Sequence, residues 1–161
     1  MTFDNDCFGA CLILIYCGID SMAYLSMPAV QTEVRKEDFV QWANQYLCPS
    51  LSNGIVSVTG DDLYGARCAV VHTFTSESRM TRNGSAKIIG YQYGGGLTTF
   101  FDPKVEPNMM LIRLEDFRDI FFNAIDKFLM ETYAVQGKQP TLETRLKKLL
   151  TTVPYSSLKK T

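Results

Sequence analysis

Apolar positions recur every three or four residues along most of this chain, and that period predicts helices near 7–25, 34–47, 60–75, 114–135 and 141–153. The fourth is the clearest: Leu114, Phe117, Ile120, Phe121, Ala124, Ile125, Phe128 and Leu129 draw one stripe, with acids and lysine between them. A stripe of that width packs against other helices as core. The second helix puts Phe39, Trp42, Ala43, Tyr46 and Leu47 on one face. The last carries Leu142, Leu146, Leu149, Leu150 and Val153 and is ended by Pro154. The first is apolar all round from Cys7 to Ile19, the pattern of a central buried helix, and Pro28 stops it soon after. The third opens on Thr59 and Asp62, spaced as a capping box, and Asp61 and Asp62 suit the positive end of its dipole. Leu63, Ala66, Val70 and Phe74 then recur as a core-facing stripe.

The period changes after the third helix. Lys87 to Tyr93 and Met109 to Arg113 are rich in β-formers and separated by turn residues, which predicts a small β-hairpin inserted at about 86–113. Gly94-Gly95-Gly96 lacks the Lys-Ser/Thr of a phosphate-binding loop and reads as a flexible turn. Pro49 to Gly54 reads as a loop, and 76–84 as a connector carrying Arg79 and Arg82. The expected fold is therefore a mainly α bundle with a β-hairpin insertion, one domain over residues 1–161.

With 46% apolar and 20% charged residues the composition is that of a soluble globular chain, and a net charge of −1 supplies no general attraction for nucleic acid. An anionic partner must be held by a local patch. Five cysteines make neither an even nor a dense framework, so free thiols in a reducing, cytoplasmic setting are expected. The Cys7–Ile19 run is preceded by Asp4 and Asp6 rather than by positive charge, and Asp20 interrupts it, so neither a signal peptide nor a membrane span is expected.

The candidate chemistry lies in the third helix. Arg67 falls on the Leu63–Val70 stripe, and a guanidinium keeps its proton, so it must meet a carboxylate, carbonyls or a bound anion. Asp20, on the first helix, is the candidate partner, unless a local hydroxyl or backbone group satisfies it instead. His72, the only histidine, lies on another flank in line with Gly65, Cys68 and Ala69, a small-residue face that a second helix could approach. Five residues at about 100° each set Arg67 and His72 roughly 140° apart, so either the helix ends near Thr73 or a second copy completes the site. One histidine and the Cys7/Cys11 pair fall short of a metal site, and no cofactor is implied. A Cys68–His72 hydrolase would lack an oxyanion hole. Arginine with histidine suits phosphodiester cleavage in RNA: an imidazole can move the 2′-OH proton, and a guanidinium neutralises charge on the phosphorane.

Arg67-x4-His72, late in a helix that opens Asp62-Leu63-Tyr64, resembles the R-x4–6-H signature of the HEPN superfamily (higher eukaryotes and prokaryotes nucleotide-binding). Ile19-Asp20-Ser21-Met22-Ala23 and Phe39-Val40-x5-Tyr46-Leu47 are similar to segments preceding that signature in HEPN-like bacterial proteins, so the resemblance spans about residues 7 to 80. It implies a HEPN-like helical bundle and a metal-independent endoribonuclease, active as a homodimer in a defence or toxin–antitoxin setting with an antitoxin partner. Arg67 and His72 would be catalytic, Asp20 and Cys68 supporting, and Arg79 and Arg82 would hold RNA. Active members commonly carry Asn, Asp or His after the arginine, where this chain has Cys68. Other members bind only a nucleotide or a protein, which is the alternative reading.

Overall fold

The structure, a computed structural model, describes residues 7–102, 104, 109–135 and 137–149. It is mainly helical with a small sheet: α1 (Phe8–Ser26), α2 (Lys36–Tyr46), α3 (Cys48–Leu51), α4 (Gly60–Thr73), α5 (Arg79–Arg82), β1 (Ile88–Gln92), β2 (Thr99–Phe100), β3 (Met109–Arg113), α6 (Leu114–Ala134) and α7 (Gln139–Leu149). The periodic segments fold as expected, and helix α1 packs on α2, α4, α6 and α7. Its Leu12, Ile15, Tyr16, Ile19 and Ala23 meet Phe39, Trp42, Leu63, Phe117 and Phe121 in one core. At Gly18 the Phe121 ring comes within 2.4 Å of where a Cβ would stand, so α6 can lie close to α1 only because that residue is glycine.

Helix α1 is not buried all round as its composition predicts. Leu14 is 63% exposed, and Cys7, Ala10 and Cys17 share that open side. Its neighbours cover one side, and an apolar sequence does not reveal which. The helix is long and apolar enough to cross a membrane by length and composition, beyond the sequence expectation, yet Cys11, Leu12, Ile15, Tyr16, Ile19, Ala23 and Leu25 lie in the chain's own core. Asp4 and Asp6, like Leu150, Val153 and Pro154 of the predicted last helix, lie outside the described residues.

The capping box at α4 forms as its spacing predicts. Asp62 N–H donates to Thr59 Oγ1 at 3.2 Å, and Thr59 N–H donates back to Asp62 Oδ2 at 3.0 Å. Asp62 also accepts from the Lys87 backbone N–H at 2.7 Å, so the same buried carboxylate ties the start of α4 to the approach of β1. Where a loop was expected at Pro49, α3 makes one helical turn, with the proline at a starting position where its missing N–H is harmless.

The sheet corrects the hairpin expectation. Strands β1 and β3 pair in parallel, Ile88 opposite Met109 through Gln92 opposite Arg113, and the short β2 pairs antiparallel with the other edge of β3. The order is β1-β3-β2. Parallel neighbours need a crossover rather than a tight turn, and the segment through Gly94–Gly96 supplies it. Alternating β-formers announce two strands but not which way they pair. The strand that does fold back on β3 has two residues, too few for any periodicity to mark. Thr99 Oγ1 donates to Leu51 O at 2.6 Å, fastening β2 to α3.

Candidate functional site

Arg67 and Asp20 meet where α4 crosses α1. Arg67 Nε and Nη2 both donate to Asp20 Oδ2, at 3.0 and 2.8 Å. The side chains are 21% and 30% exposed, so the pair is half-buried rather than sealed in the core stripe. Burial disfavours the charged guanidinium, but the Asp20 hydrogen bonds and charge, with the Cys68 thiol alongside, hold Arg67 above its ordinary pKa. Tyr64, one turn before Cys68, joins the cluster: burial and then Cys68 push its phenol up, and Arg67 pulls it down. Nothing in the hydrophobic pattern marked Tyr64. Its spacing of three from Arg67 and four from Cys68 was the available signal.

The remaining donor of Arg67, Nη1, lies 3.1 Å from His72 Nε2. A guanidinium only donates, so Nε2 is the acceptor and the ring proton of this arrangement sits on Nδ1. The two side chains therefore converge within one chain whose helix ends at Thr73, the first of the two expected alternatives, and the angular argument by itself no longer calls for a second copy. It placed Cβ atoms correctly around the helix but neglected the length of an arginine, which can bend round to a neighbouring flank. His72 is exposed, the helix ends one residue later, and Cys68 lies partly buried a turn before it.

The small-residue face is covered in part by the chain itself, while Cys68 is half-buried and His72 exposed. Gly65 and Ala69 are buried, and a Cβ at Gly65 would stand 2.9 Å from Ala86 Cβ and 3.6 Å from Ser78 Oγ. The chain's own segment around α5 occupies the space that the glycine opens. Arg79 and Arg82 are exposed on α5. Among the described residues no hydrogen bond or ion pair joins them to Arg67 or His72, so the structure does not bring them into the cluster.

Phe74 departs furthest from its predicted place. It follows α4 with φ +56°, the one non-glycine residue with positive φ among those described, and it is 66% exposed instead of core. Its N–H donates back to Val70 O at 3.2 Å and Thr75 N–H to Ala69 O at 3.3 Å, a helix-ending turn that glycine usually makes. The left-handed turn swings the side chain off the Leu63–Val70 stripe. Periodicity assumes a helix that continues, and so cannot see this.

A cavity of about 800 Å³ lies elsewhere, between the end of α1, α2, α6 and α7, lined by Trp42, Tyr46, Phe128 and Glu131 among others. No member of the Asp20–Arg67–His72 cluster lines it; His72 is exposed, and the Arg67–Asp20 pair is half-buried. Among the described residues no three His, Cys, Asp or Glu side chains gather as a metal ion would require. Comparison with family models, with curated proteins and with solved structures finds no match to this chain.

Proposed function

We propose that the protein is a metal-independent endoribonuclease of the HEPN-like kind, cutting single-stranded RNA to a 2′,3′-cyclic phosphate and a 5′-OH. The observation that carries this reading is the contact between Arg67 Nη1 and His72 Nε2 on an exposed helix end. His72 Nε2, unprotonated there, takes the proton of the 2′-OH, and the 2′-oxygen attacks phosphorus as the bond to the 5′-oxygen breaks. Nε and Nη2 of Arg67 stay on Asp20 and keep the planar guanidinium fixed; the imidazole rotates off Nη1 to reach the 2′-OH, which leaves the Nη1 N–H groups to donate to the phosphorane oxygens. An in-line displacement puts entering and leaving oxygens on opposite sides of phosphorus. A second copy in a homodimer supplies the imidazolium that protonates the 5′-oxygen. The exposed end of α4 at His72 suits a strand better than an enclosed metabolite, and Arg79 and Arg82 on the following α5 add positive charge. A cytoplasmic role paired with an antitoxin belongs to the same proposal.

Purified wild type incubated with a mixed RNA pool should yield 2′,3′-cyclic ends in the presence of EDTA. His72→Ala and Arg67→Ala should each lower the rate by about 10²–10⁴ without unfolding the chain. One observation favours the second reading, a non-catalytic module binding a nucleotide or a partner protein: Nε, Nη2 and Nη1 of Arg67 are all engaged at rest. Intact RNA at micromolar wild type, with ligand binding lost in Arg67→Ala, would decide for that module. Cys68→Asn separates them further, because a polar side chain beside Arg67 should raise cleavage in an enzyme and change nothing in a binder.

A further inference from the structure

We infer that Phe74 is a stacking platform for a nucleobase of the bound strand; this rests on the endoribonuclease reading for its substrate. Three features converge on this residue. The first is its backbone. A bulky aromatic in the left-handed region is a conformational outlier, and such outliers persist only where the surrounding structure enforces them. The second is exposure: a helix that simply continued would bury Phe74 beside Val70, whereas this turn leaves the ring 66% open to solvent. The third is position, two residues beyond His72.

The ring is also held rather than free. Its Cε1 and Cζ stand 2.7 and 2.9 Å from where a Cβ of Gly9 would be, so it rests on the bare backbone of α1, and any other residue at position 9 would displace it. One part of the ring is thereby fixed on α1 while the rest is open. A pre-positioned aromatic surface takes a flat partner without first losing rotamer freedom. Beside Gly9, Phe8 packs against Tyr93 with ring centroids 4.4 Å apart, and Tyr93 is itself 56% exposed, which continues the aromatic surface along the end of α1. Aromatic faces take successive bases of single-stranded nucleic acid with little regard to sequence, so a strand whose phosphate lies at Arg67 and His72 would lay a base further along on Phe74, whose ring rests at Gly9, about 16 Å along α1 from Asp20. A double-stranded RNA, its bases already stacked, could not use the platform.

The test uses a short RNA with 2′-O-methyl groups throughout, which cannot be cleaved, carrying one 2-aminopurine whose fluorescence falls on stacking. Wild type should bind it and quench it. Phe74→Leu, which keeps apolar cover over Gly9, should lose the quenching and bind about 5- to 150-fold more weakly, while Phe74→Trp should restore both. Absence of quenching with wild type overturns the inference, whether or not Phe74→Leu folds. So does equal quenching by wild type and Phe74→Leu, and so does binding that Phe74→Leu weakens without any quenching in wild type, which would mark Phe74 as a protein-docking residue. Cleavage of unmodified RNA, measured separately, keeps the two claims apart. Cleavage without quenching retains the nuclease and removes the platform; quenching without cleavage retains the platform and removes the nuclease.

Discussion

Arg67 shares its donors between two unlike partners, and the strength of each contact decides what the residue can do. Two charge-assisted bonds to Asp20 Oδ2 form the permanent side, and a single bond to His72 Nε2 is the exchangeable one. Sequence reasoning reached the first because a guanidinium on a core stripe must find an acceptor, and Asp20 is the carboxylate of the opposing helix. It overstated burial: at 21% and 30% exposure the pair sits between the surface and buried limits. A double-mutant cycle with Asp20→Asn and Arg67→Met should give a coupling of about 1–2 kcal/mol, below the 3–5 kcal/mol typical of breaking a fully buried pair. Additive losses would mean that the two do not stabilise the fold together. A second residue-scale outcome concerns alkali. Burial first, then the nearby Asp62 charge, pushes the Cys48 thiol from 9.0 up to about 12. A group whose folded pKa is raised stabilises fully below its unfolded pKa and loses that contribution as pH rises through the folded one. Denaturation midpoints should therefore fall between about pH 9 and pH 12, and Cys48→Ala should flatten that fall without removing the part due to the part-buried Tyr16–Tyr91 hydroxyl pair, whose phenols are also pushed up by burial. An unchanged slope in Cys48→Ala would show that the thiol ionises as freely in the folded chain as in the unfolded one.

At the scale of elements, what can be read from sequence depends on whether an element is defined by its own period or by its neighbours. Helices α2, α4 and α6 were legible because each carries an apolar stripe, and the start of α4 because Thr59 and Asp62 cap it locally. The pairing of β1 with β3, the closure of α5 over Gly65 and the left-handed exit at Phe74 all depend on contacts between segments. Helix α7 is the sharpest instance: its leucine pattern predicts a packed stripe, yet Leu146 and Leu149 are 40% and 38% exposed. What anchors it is Arg145, buried and donating through Nη2 to Pro28 O at 2.7 Å and Gln31 O at 3.3 Å, and through Nη1 to Met27 O. Those carbonyls belong to the C-cap and the turn after α1, where Pro28 O also accepts from Gln31 N–H at 3.0 Å, and the guanidinium lies over the Tyr24 ring at 5.6 Å. Arg145→Met keeps the stem and removes the donors, so it should cost about 2–3 kcal/mol and speed amide exchange in α7 ahead of the other helices. If α7 amides stay protected in that variant, Leu142 alone holds the helix and the carbonyl cluster is incidental.

For the whole molecule the open question is how two copies would share the chemistry. Because Arg67 reaches His72 inside one chain, a homodimer is not needed to assemble the pair; it is needed, in the proposed mechanism, to set two pairs on opposite sides of one phosphate. Sedimentation at tens of micromolar should show a dimer, and a monomer there would retire the two-histidine mechanism. The decisive measurement mixes two inactive variants, His72→Ala and Arg67→Ala, under conditions where subunits exchange. With the catalytic pair built within a chain, every mixed dimer has one chain lacking its histidine and one lacking its arginine, so neither pair is whole and activity should stay at background. Were the arginine of one chain instead to serve the histidine of the other, and one such pair to suffice without a second histidine, half of the dimers would be mixed and one of their two cross-chain pairs intact, returning about a quarter of wild-type activity. Such a return would overturn the within-chain assignment. The 3.1 Å contact between Nη1 and Nε2 would then be a resting arrangement that dimerisation breaks, and Asp20 would hold Arg67 for a partner rather than for its own helix.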